Sequence, residues 1–402
     1  MRKRAAGFFL FLMILIFWMQ EPALALSQND SQTGGTSQEA PDVDSIIENR
    51  LETGNVDAIK KAIDDMLEDE DSELNKTFSA DQILSNALKG NPLDNFKGLP
   101  KVLTVLAGKE LKANVALMLQ LFAIMLLGAL VKNLQPLEKG IPNETARICI
   151  NGVMMMLAAT SFGNAVQIAS GTIGAMQEIA GVAMPALFAL MASSGKLVSV
   201  TALQPIMLLG VNTACHILKN ILMPVTVASG ILFLVNALSD RFKLGNLAKL
   251  LKSTAVWATG VVALVFSIAF SIQKMASGTV DAVTLKTAKF AIGTFIPVAG
   301  KYMSDAAETL LLCTSAAGSA VGILTVAGLI LSVAVPFIRL FLVMLTFKLA
   351  AALGAPLCDE AVCDALEDAS GCFSVMLGIV GASFFVLTLL TGTLMSSGGY
   401  MR

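Results

Sequence analysis

The chain has almost no histidine, the side chain most often used as a metal ligand and as a catalytic acid or base. Its 402 residues include a single histidine, His216. One imidazole is too few for a His-rich zinc site or for a histidine-based proton relay. The sequence also lacks the His-Glu-x-x-His, Gly-x-Ser-x-Gly, phosphate-loop and dinucleotide-binding motifs. We therefore expect no enzyme activity, no catalytic residues, no metal site and no cofactor.

Charged residues are equally scarce. Only 14% of the residues are charged, whereas 55% are hydrophobic and the mean hydropathy is +0.72. The 30 acidic and 28 basic side chains are too few to cover soluble domains built from a chain of this length. The net charge of −2 and the lack of a basic run longer than Arg2–Arg4 argue against nucleic acid as a partner. These numbers predict an all-α, polytopic membrane protein.

The first 25 residues have the pattern of a signal peptide. The basic residues Arg2 to Arg4 precede an uncharged stretch from Ala5 to Met19, and an Ala-x-Ala cleavage site ends at Ala25. We expect residues 1–25 to be removed during export, which places the following segment outside the cytoplasm. If the peptide instead stays as an anchor, the predicted topology does not change.

Residues 26–112 form the acidic part of the chain, with 17 acidic and 9 basic side chains. The first stretch, 27–38, has a composition typical of disorder. Beyond it, apolar residues recur at helical spacing and predict a small extracytoplasmic module of three amphipathic helices, which needs a partner to bury its apolar faces. Ser79 is the expected N-cap of the third helix, and Gly90 its stop. The apolar positions are Val43, Ile46, Ile47, Leu51, Val56, Ile59, Ile63, Met66, Leu67, Ile83, Leu84, Ala87 and Leu88.

Residues 113–402 are predicted to be a multi-pass membrane domain of about seven to nine spans. The stretch from 309 to 357 has only two charges and is expected to cross twice, with a break near Pro336. Two shorter apolar stretches with a central proline, 179–195 and 291–300, either cross or re-enter. The clearest spans are 113–131, 148–170, 197–218, 221–239, 254–273 and 373–396.

The basic loops predict the orientation. With the acidic module outside, the loop 132–147 is cytoplasmic, as the positive-inside rule requires. If 179–195 crosses, which we favour, the basic loop 240–253 is cytoplasmic too. If it only dips into the membrane, that loop lies outside. Because the fate of 291–300 is open, so is the side of the acidic loop 358–371.

The chain also contains a pattern of internal duplication. An offset of 112 residues aligns Gly181 with Gly293 and Gly210 with Gly322, and it aligns two proline pairs as well, Pro185 with Pro297 and Pro224 with Pro336. Paired, proline-interrupted segments are typical of transporters built from two repeats. We predict repeats at 179–273 and 291–396, although chance matches in a Gly- and Ala-rich membrane chain are the simpler alternative.

Polar side chains within apolar spans are costly, so each needs a hydrogen-bonding or functional reason. They either line a polar path through the membrane or bind neighbouring helices. A central Arg or Lys costs roughly 2.5 to 3.5 kcal/mol, so Arg339 and Lys348 are expected near a boundary or facing protein. The candidates are Asn151, Gln167, Asn212, His216, Asn236, Arg339 and Lys348.

The six cysteines form no strong zinc pattern. Cys149, Cys215 and Cys313 lie in spans and are expected to pack as small apolar residues. The other three, Cys358, Cys363 and Cys372, lie in or beside the acidic loop. An extracytoplasmic loop would permit a disulfide between two of them, whereas a cytoplasmic loop would keep free thiols.

Three sequence stretches carry a resemblance that covers essentially the whole chain. They are Glu-Ile-Ala-Gly-Val-Ala-Met-Pro-Ala-Leu at 178–187, Leu-Ser-Asp-Arg-Phe-Lys at 238–243 and Leu-Ala-Lys-Leu-Leu-Lys-Ser at 247–253. Together with the signal peptide, the acidic module and the Gly-rich multi-pass body, they resemble the stage III sporulation protein AE family of endospore-forming bacteria. No single motif among them is chemically diagnostic.

The resemblance implies a subunit of the export or feeding channel that links mother cell and forespore after engulfment. It implies a place in the mother-cell membrane around the forespore, with the acidic module outside the cytoplasm. The implied partners are a cytoplasmic secretion-type ATPase, small membrane subunits, ring proteins between the two membranes, and the lipid bilayer. A freestanding secondary transporter and a non-conducting assembly scaffold stay open as alternatives, and the transported substrate and the oligomeric state are open as well.

Overall fold

A computed structural model describes residues 43–70, 72–91, 94, 96–133, 142–238, 244–295, 299–356 and 360–398. These residues belong to one unit that begins at Val43. The predicted signal peptide and the polar stretch 27–38 lie outside the described residues. The described residues contain helices and turns but no strand, which confirms the prediction of an all-α polytopic membrane protein.

The acidic N-terminal region forms four helices, which are α1 (Val43–Thr53), α2 (Val56–Glu70), α3 (Ser72–Thr77) and α4 (Ala80–Leu88). The predicted start of α4 is confirmed, because the Ser79 side chain accepts a hydrogen bond from the backbone N–H of Gln82 at 3.4 Å. Its predicted stop is confirmed as well, since Gly90 has a φ of 76°, which a residue with a side chain rarely adopts. The apolar positions predicted in α2 and α4 are buried, except Leu88 at the end of α4, which is exposed.

Long helices make up the rest of the described chain. Six of its segments are long and apolar enough to cross a membrane, namely 99–130, 149–193, 197–236, 245–272, 310–354 and 362–397. The elements are α5 (Leu99–Asn133), α6 (Pro142–Ser193), α7 (Leu197–His216), a π turn (Ile217–Leu222), α8 (Met223–Leu238), α9 (Gly245–Phe295), α10 (Ala299–Gly354) and α11 (Glu360–Ser397).

Several expected breaks between spans are absent. The two passes expected between 309 and 357 are one helix, α10, which runs through Pro336. The stretch 179–193 is the last part of α6 and contains Pro185 within the helix. A proline removes one backbone hydrogen bond, and in apolar helices neighbouring groups compensate for this loss. The prediction of a break at Pro336 was therefore wrong.

The spans expected at 197–218 and 221–239 are also joined, because the π turn connects α7 directly to α8. This junction and the continuity of α6 together leave the predicted side of the later segments unchanged, because each removes one crossing before residue 240. The start of α6 and the end of α8 therefore lie at the same end of the bundle. The predicted duplication stays a prediction, since Pro297 lies outside the described residues.

The acidic stretch 360–371 is helical, forming the first turns of α11 rather than a loop. Lys252 of α9 explains how these charges are tolerated there. Its Nζ atom lies 3.6 Å from a carboxylate oxygen of Asp368, donates to the Asp368 backbone carbonyl at 3.3 Å, and lies 5.3 Å from the centre of the Phe233 ring. The acidic start of α11 and the basic first turns of α9 therefore share one end of the bundle.

The N-terminal helices pack against the last part of α6 and the middle of α10. A Cβ atom placed at Gly328 of α10 would contact both Ile63 of α2 and Ile179 of α6. Gly54, after α1, similarly approaches Leu190 of α6. The partner that the amphipathic helices need is thus the same chain. Gly328 lies about 39 Å along α10 from its C-terminal end, at 1.5 Å per residue.

Three phenylalanines form the centre of the core near the opposite end. Phe162 of α6 stacks on Phe373 of α11 with ring centres 4.5 Å apart, and Phe347 of α10 lies 5.0 Å from Phe373. All three side chains are fully or almost fully buried. Gly230 of α8 makes room for them, because a Cβ atom there would lie 2.5 Å from the Phe162 ring.

The variant Gly230→Ala is expected to destabilise the purified protein by about 1–3 kcal/mol, the usual range for overpacking a core. Thermal unfolding in detergent measures the effect. The matched control is Gly260→Ala on α9, where a Cβ atom meets no neighbour and alanine improves helix propensity. Equal unfolding temperatures for the two variants would contradict the packing described here.

The variant Gly328→Leu is expected to separate the N-terminal helices from α10, since even a Cβ atom at this position lies 2.8 Å from the Ile63 Cδ1 atom. Limited proteolysis should then cleave residues 43–98 faster than in the wild-type protein, while the long helices stay intact. Gly260→Leu serves as the control. Wild-type cleavage rates in a folded Gly328→Leu protein would show that the contact does not hold the N-terminal helices.

Candidate functional site

Three of the predicted polar residues lie apart from one another. Asn236 accepts a hydrogen bond from the backbone N–H of Gly245 at 2.9 Å and so fixes the start of α9. Asn151 lines a shallow crevice with apolar residues, among them Met154 and Leu366. Lys348 is exposed on α10. Of these three, Asn236 has the helix-contact role that the sequence analysis considered.

Arg339 is paired with an acid that the sequence analysis did not select. Its Nε atom donates to the Glu110 carboxylate of α5 at 2.8 Å, and both side chains are about one quarter exposed. Charge-assisted bonds of this length are among the stronger polar contacts in proteins. The pair joins α5 to α10 and compensates for a guanidinium within an apolar helix.

The other three predicted residues lie along two neighbouring helices. Gln177 of α6 donates from Nε2 to the Oδ1 atom of Asn212 on α7 at 3.0 Å. Because α6 and α7 run in opposite directions, this bond sets the level of the residues around it. Moving four and eight residues away from the bond on both helices brings His216 level with Ile173 and Asn220 level with Ala169. Gly171 therefore lies between these two levels, and Gln167 lies about 3 Å beyond Asn220. Asn212, His216 and Asn220 follow each other at intervals of four residues and share one exposed face.

A lysine completes this arrangement. The Lys219 Nζ atom lies 3.3 Å from the position a Cβ atom would have at Gly174 of α6. The missing side chain of Gly174 therefore leaves the space that the ammonium group occupies. Lys219 and Asn220 both belong to the π turn, and such turns within α-helices occur frequently at functional sites.

We call this surface the polar groove. Its walls consist of side chains that can form hydrogen bonds, and glycines of α6 keep it open. It is defined by Gln167, Gly171, Gly174 and Gln177 of α6, and by Asn212, His216, Lys219 and Asn220 of α7 and the π turn.

The hydrogen bonds in the polar groove determine which atoms stay available. The Asn220 Nδ2 atom, which can only donate, lies 2.9 Å from the Nδ1 atom of His216. This contact occupies the Nδ1 atom of His216 and leaves its Nε2 atom for other partners. Asn212 accepts through Oδ1, so its Nδ2 group remains a donor. Asn212 and Lys219 thus each present an N–H group, and His216 presents its second ring nitrogen.

The polar groove has the chemistry of a binding surface. It contains a lysine, a histidine and amides, with the exposed carboxylate of Glu178 beside Gln177. Across the described residues, no group of three or more His, Cys, Asp or Glu side chains is placed to hold a metal ion. The groove can recognise a polar or charged group through hydrogen bonds.

The cysteines divide into two groups. Cys215, Cys313 and Cys372 are free and buried, while Cys149 is free but exposed. The prediction of small apolar packing is thus confirmed for Cys215 and Cys313 and wrong for Cys149. Cys363 takes part in a disulfide, and Cys358 lies outside the described residues.

Sequence reasoning missed Gln177, Lys219, Asn220 and Glu110. Lys219 and Asn220 were assigned to a connection between two spans, because a charge next to an amide usually marks a boundary. The signal that could have identified them is spacing, since Asn212, His216 and Asn220 recur every four residues across the supposed boundary. Glu110 was counted with the soluble module, although it lies within α5.

Replacing one member of the Glu110–Arg339 pair should destabilise the protein more than replacing both. A single Arg339→Leu or Glu110→Leu change leaves a charge in apolar surroundings, whereas the double variant removes both charges. Thermal unfolding of the three variants in detergent provides the comparison. Additive losses in the double variant would show that the two charges do not stabilise each other.

Comparison with known proteins agrees with this architecture. The sequence model of the family described as stage III sporulation protein AE matches residues 78–398. The stage III sporulation protein AE of Bacillus subtilis (strain 168) is 33% identical over 281 residues, which cover 69% of this chain and 70% of that protein. No solved structure matches the chain. The chain therefore belongs to the stage III sporulation protein AE family of sporulation membrane proteins.

Proposed function

We propose that this protein is a non-enzymatic membrane subunit of the channel that links mother cell and forespore and supports spore development after engulfment. Membership of the stage III sporulation protein AE family carries this proposal. The proposed location is the mother-cell membrane around the forespore. The N-terminal helices lie on the extracytoplasmic side, between the two membranes.

The length of the helices supports this orientation. The apolar segment of α10 from Leu310 to Gly354 has 45 residues, which corresponds to about 67 Å. A bilayer core is about 30 Å thick. If the membrane begins near Gly354, Gly328 and the N-terminal helices packed on it lie beyond the opposite face.

The distribution of charge supports the same orientation. The end of the bundle near Gly354 also holds Lys249 and Lys252 of α9 and the start of α6, which follows the basic stretch 132–147 in the sequence. Basic residues concentrate on the cytoplasmic side of membrane proteins. We assign this end to the mother-cell cytoplasm, where a secretion-type ATPase is the proposed partner and where we expect the Cys363 disulfide to be reduced.

The exposed surface of the N-terminal helices is acidic. Five carboxylates of α1 and α2 point to solvent, namely Glu48, Glu52, Asp57, Asp65 and Glu68. Lys60 is bound within the module by Asp81 at 2.9 Å, and this hydrogen bond raises the pKa of Lys60. Ring proteins between the two membranes are the proposed partners of the acidic surface, and small membrane subunits are the proposed partners of the long helices.

A freestanding secondary transporter is the second candidate function. The polar groove favours it, because a polar surface on apolar helices suits passage or binding of a solute. This alternative predicts transport by the purified protein alone in liposomes. A channel subunit predicts transport only when its partners are present.

Crosslinking and co-purification from sporulating cells test the proposal. We expect the tagged protein to recover a ring protein and an ATPase, and the charge reversal Asp65→Lys/Glu68→Lys to lose the ring protein while retaining the ATPase. Lys76→Glu, an exposed position in α3, is the control for surface charge changes. Recovery of the protein alone, or normal sporulation of a deletion strain, would overturn the proposal.

A further inference from the structure

We propose that the polar groove binds the phosphate group of an anionic ligand, with Lys219 at the centre of the site. Nothing in the family assignment requires such a site, and the proposal holds whether the protein conducts or only scaffolds. It depends on the placement of one cation, on the donor groups around it and on their depth along the helices.

The first observation is the position of the Lys219 ammonium group. Lys219 is half-buried in a turn between two apolar helices. Its ammonium group lies over Gly174, and the described residues contain no ion pair between this lysine and a carboxylate. Half-buried charges in proteins are usually paired, and this lysine has no carboxylate partner among the described residues. A bound anion would supply the counter-charge.

The available hydrogen-bonding groups match an anion. Asn212 Nδ2 and Lys219 Nζ are N–H donors, since the Oδ1 atom of Asn212 is already bonded to Gln177. The Nε2 atom of His216, whose other ring nitrogen contacts Asn220, can donate as well. A phosphate group accepts several hydrogen bonds at once and binds a lysine as a point charge. A phosphate group bound to Lys219 can therefore accept further hydrogen bonds from the donors beside it.

Glu178 is the nearest acidic competitor. It is exposed on α6, one residue past Gln177, and so lies at the end of the groove nearest the N-terminal helices. Lys219 approaches α6 four residues deeper, at Gly174. The carboxylate of Glu178 repels anions at the mouth, so the phosphate site lies in the deeper part beside Lys219.

The position of the polar groove along α6, relative to the membrane, agrees with a phosphate-bearing ligand. Measured along α6 from Cys149, where the apolar segment starts, the groove extends from about 27 Å at Gln167 to about 42 Å at Gln177. A bilayer core of about 30 Å places this interval at the headgroups of the far leaflet. Both a phospholipid headgroup and a free phosphate compound can reach the site there.

Binding to the full-length protein in detergent tests the proposal. The probes are a short-chain phosphatidylglycerol, a short-chain phosphatidylcholine, and inorganic phosphate with pyrophosphate. We expect the wild-type protein to show a ligand-dependent rise in unfolding temperature, and Lys219→Met to bind at least tenfold more weakly. Lys219→Arg should retain binding. Lys348→Met is the matched control, because it removes an exposed lysine from α10.

The probes also identify the source of the phosphate group. Binding of the short-chain phospholipids alone indicates a lipid headgroup, and binding of phosphate or pyrophosphate as well indicates a soluble ligand. If Lys219→Met does not fold, Asn212→Leu replaces it, with an expected loss of binding in the same direction. The proposal is overturned if the wild-type protein binds none of the probes, or if Lys219→Met and Lys348→Met bind as the wild type does.

Discussion

Two apolar helices of this protein, α6 and α10, are about twice as long as a bilayer core is thick, and the rest of the structure depends on that mismatch. The apolar segments of α6 and α10 each have 45 residues, so a membrane covers only part of them. The remaining apolar surface needs protein as its cover. The amphipathic helices α1 to α4 supply it, and this explains why a strongly acidic segment belongs to the same hydrophobic core as the membrane helices.

Charged side chains on the long helices form ion pairs with side chains of other helices. Lys252 binds Asp368 at one end of the bundle, and Arg339 binds Glu110 where α5 meets α10. Each pair joins two helices that are far apart in the sequence. Charged residues raise the free energy of a helix in the membrane, and here the same residues also determine which helices pack against each other.

Local features of the fold were predictable from the sequence, whereas the contacts between distant segments were not. The N-cap at Ser79, the stop at Gly90 and the buried face of α2 depend only on neighbouring residues. The break predicted at Pro336 is absent, because the effect of a proline on a helix depends on whether neighbouring groups replace the hydrogen bond that it removes. Three residues of the polar groove, Gln167, Asn212 and His216, were candidates from the sequence, but their common location depends on how α6 and α7 pair.

The π turn between α7 and α8 links the polar groove to the hydrophobic core. Such a turn accommodates one more residue than an α-helical turn, so it sets the rotation of everything that follows it. Deleting one residue from Ile217–Leu222 would rotate α8 by about 100° relative to α7. Gly230 would then no longer face Phe162, although neither residue contacts the groove. The extra residue of the π turn therefore sets the rotation of α8 relative to α7. With this rotation Lys219 faces α6 and Gly230 faces Phe162.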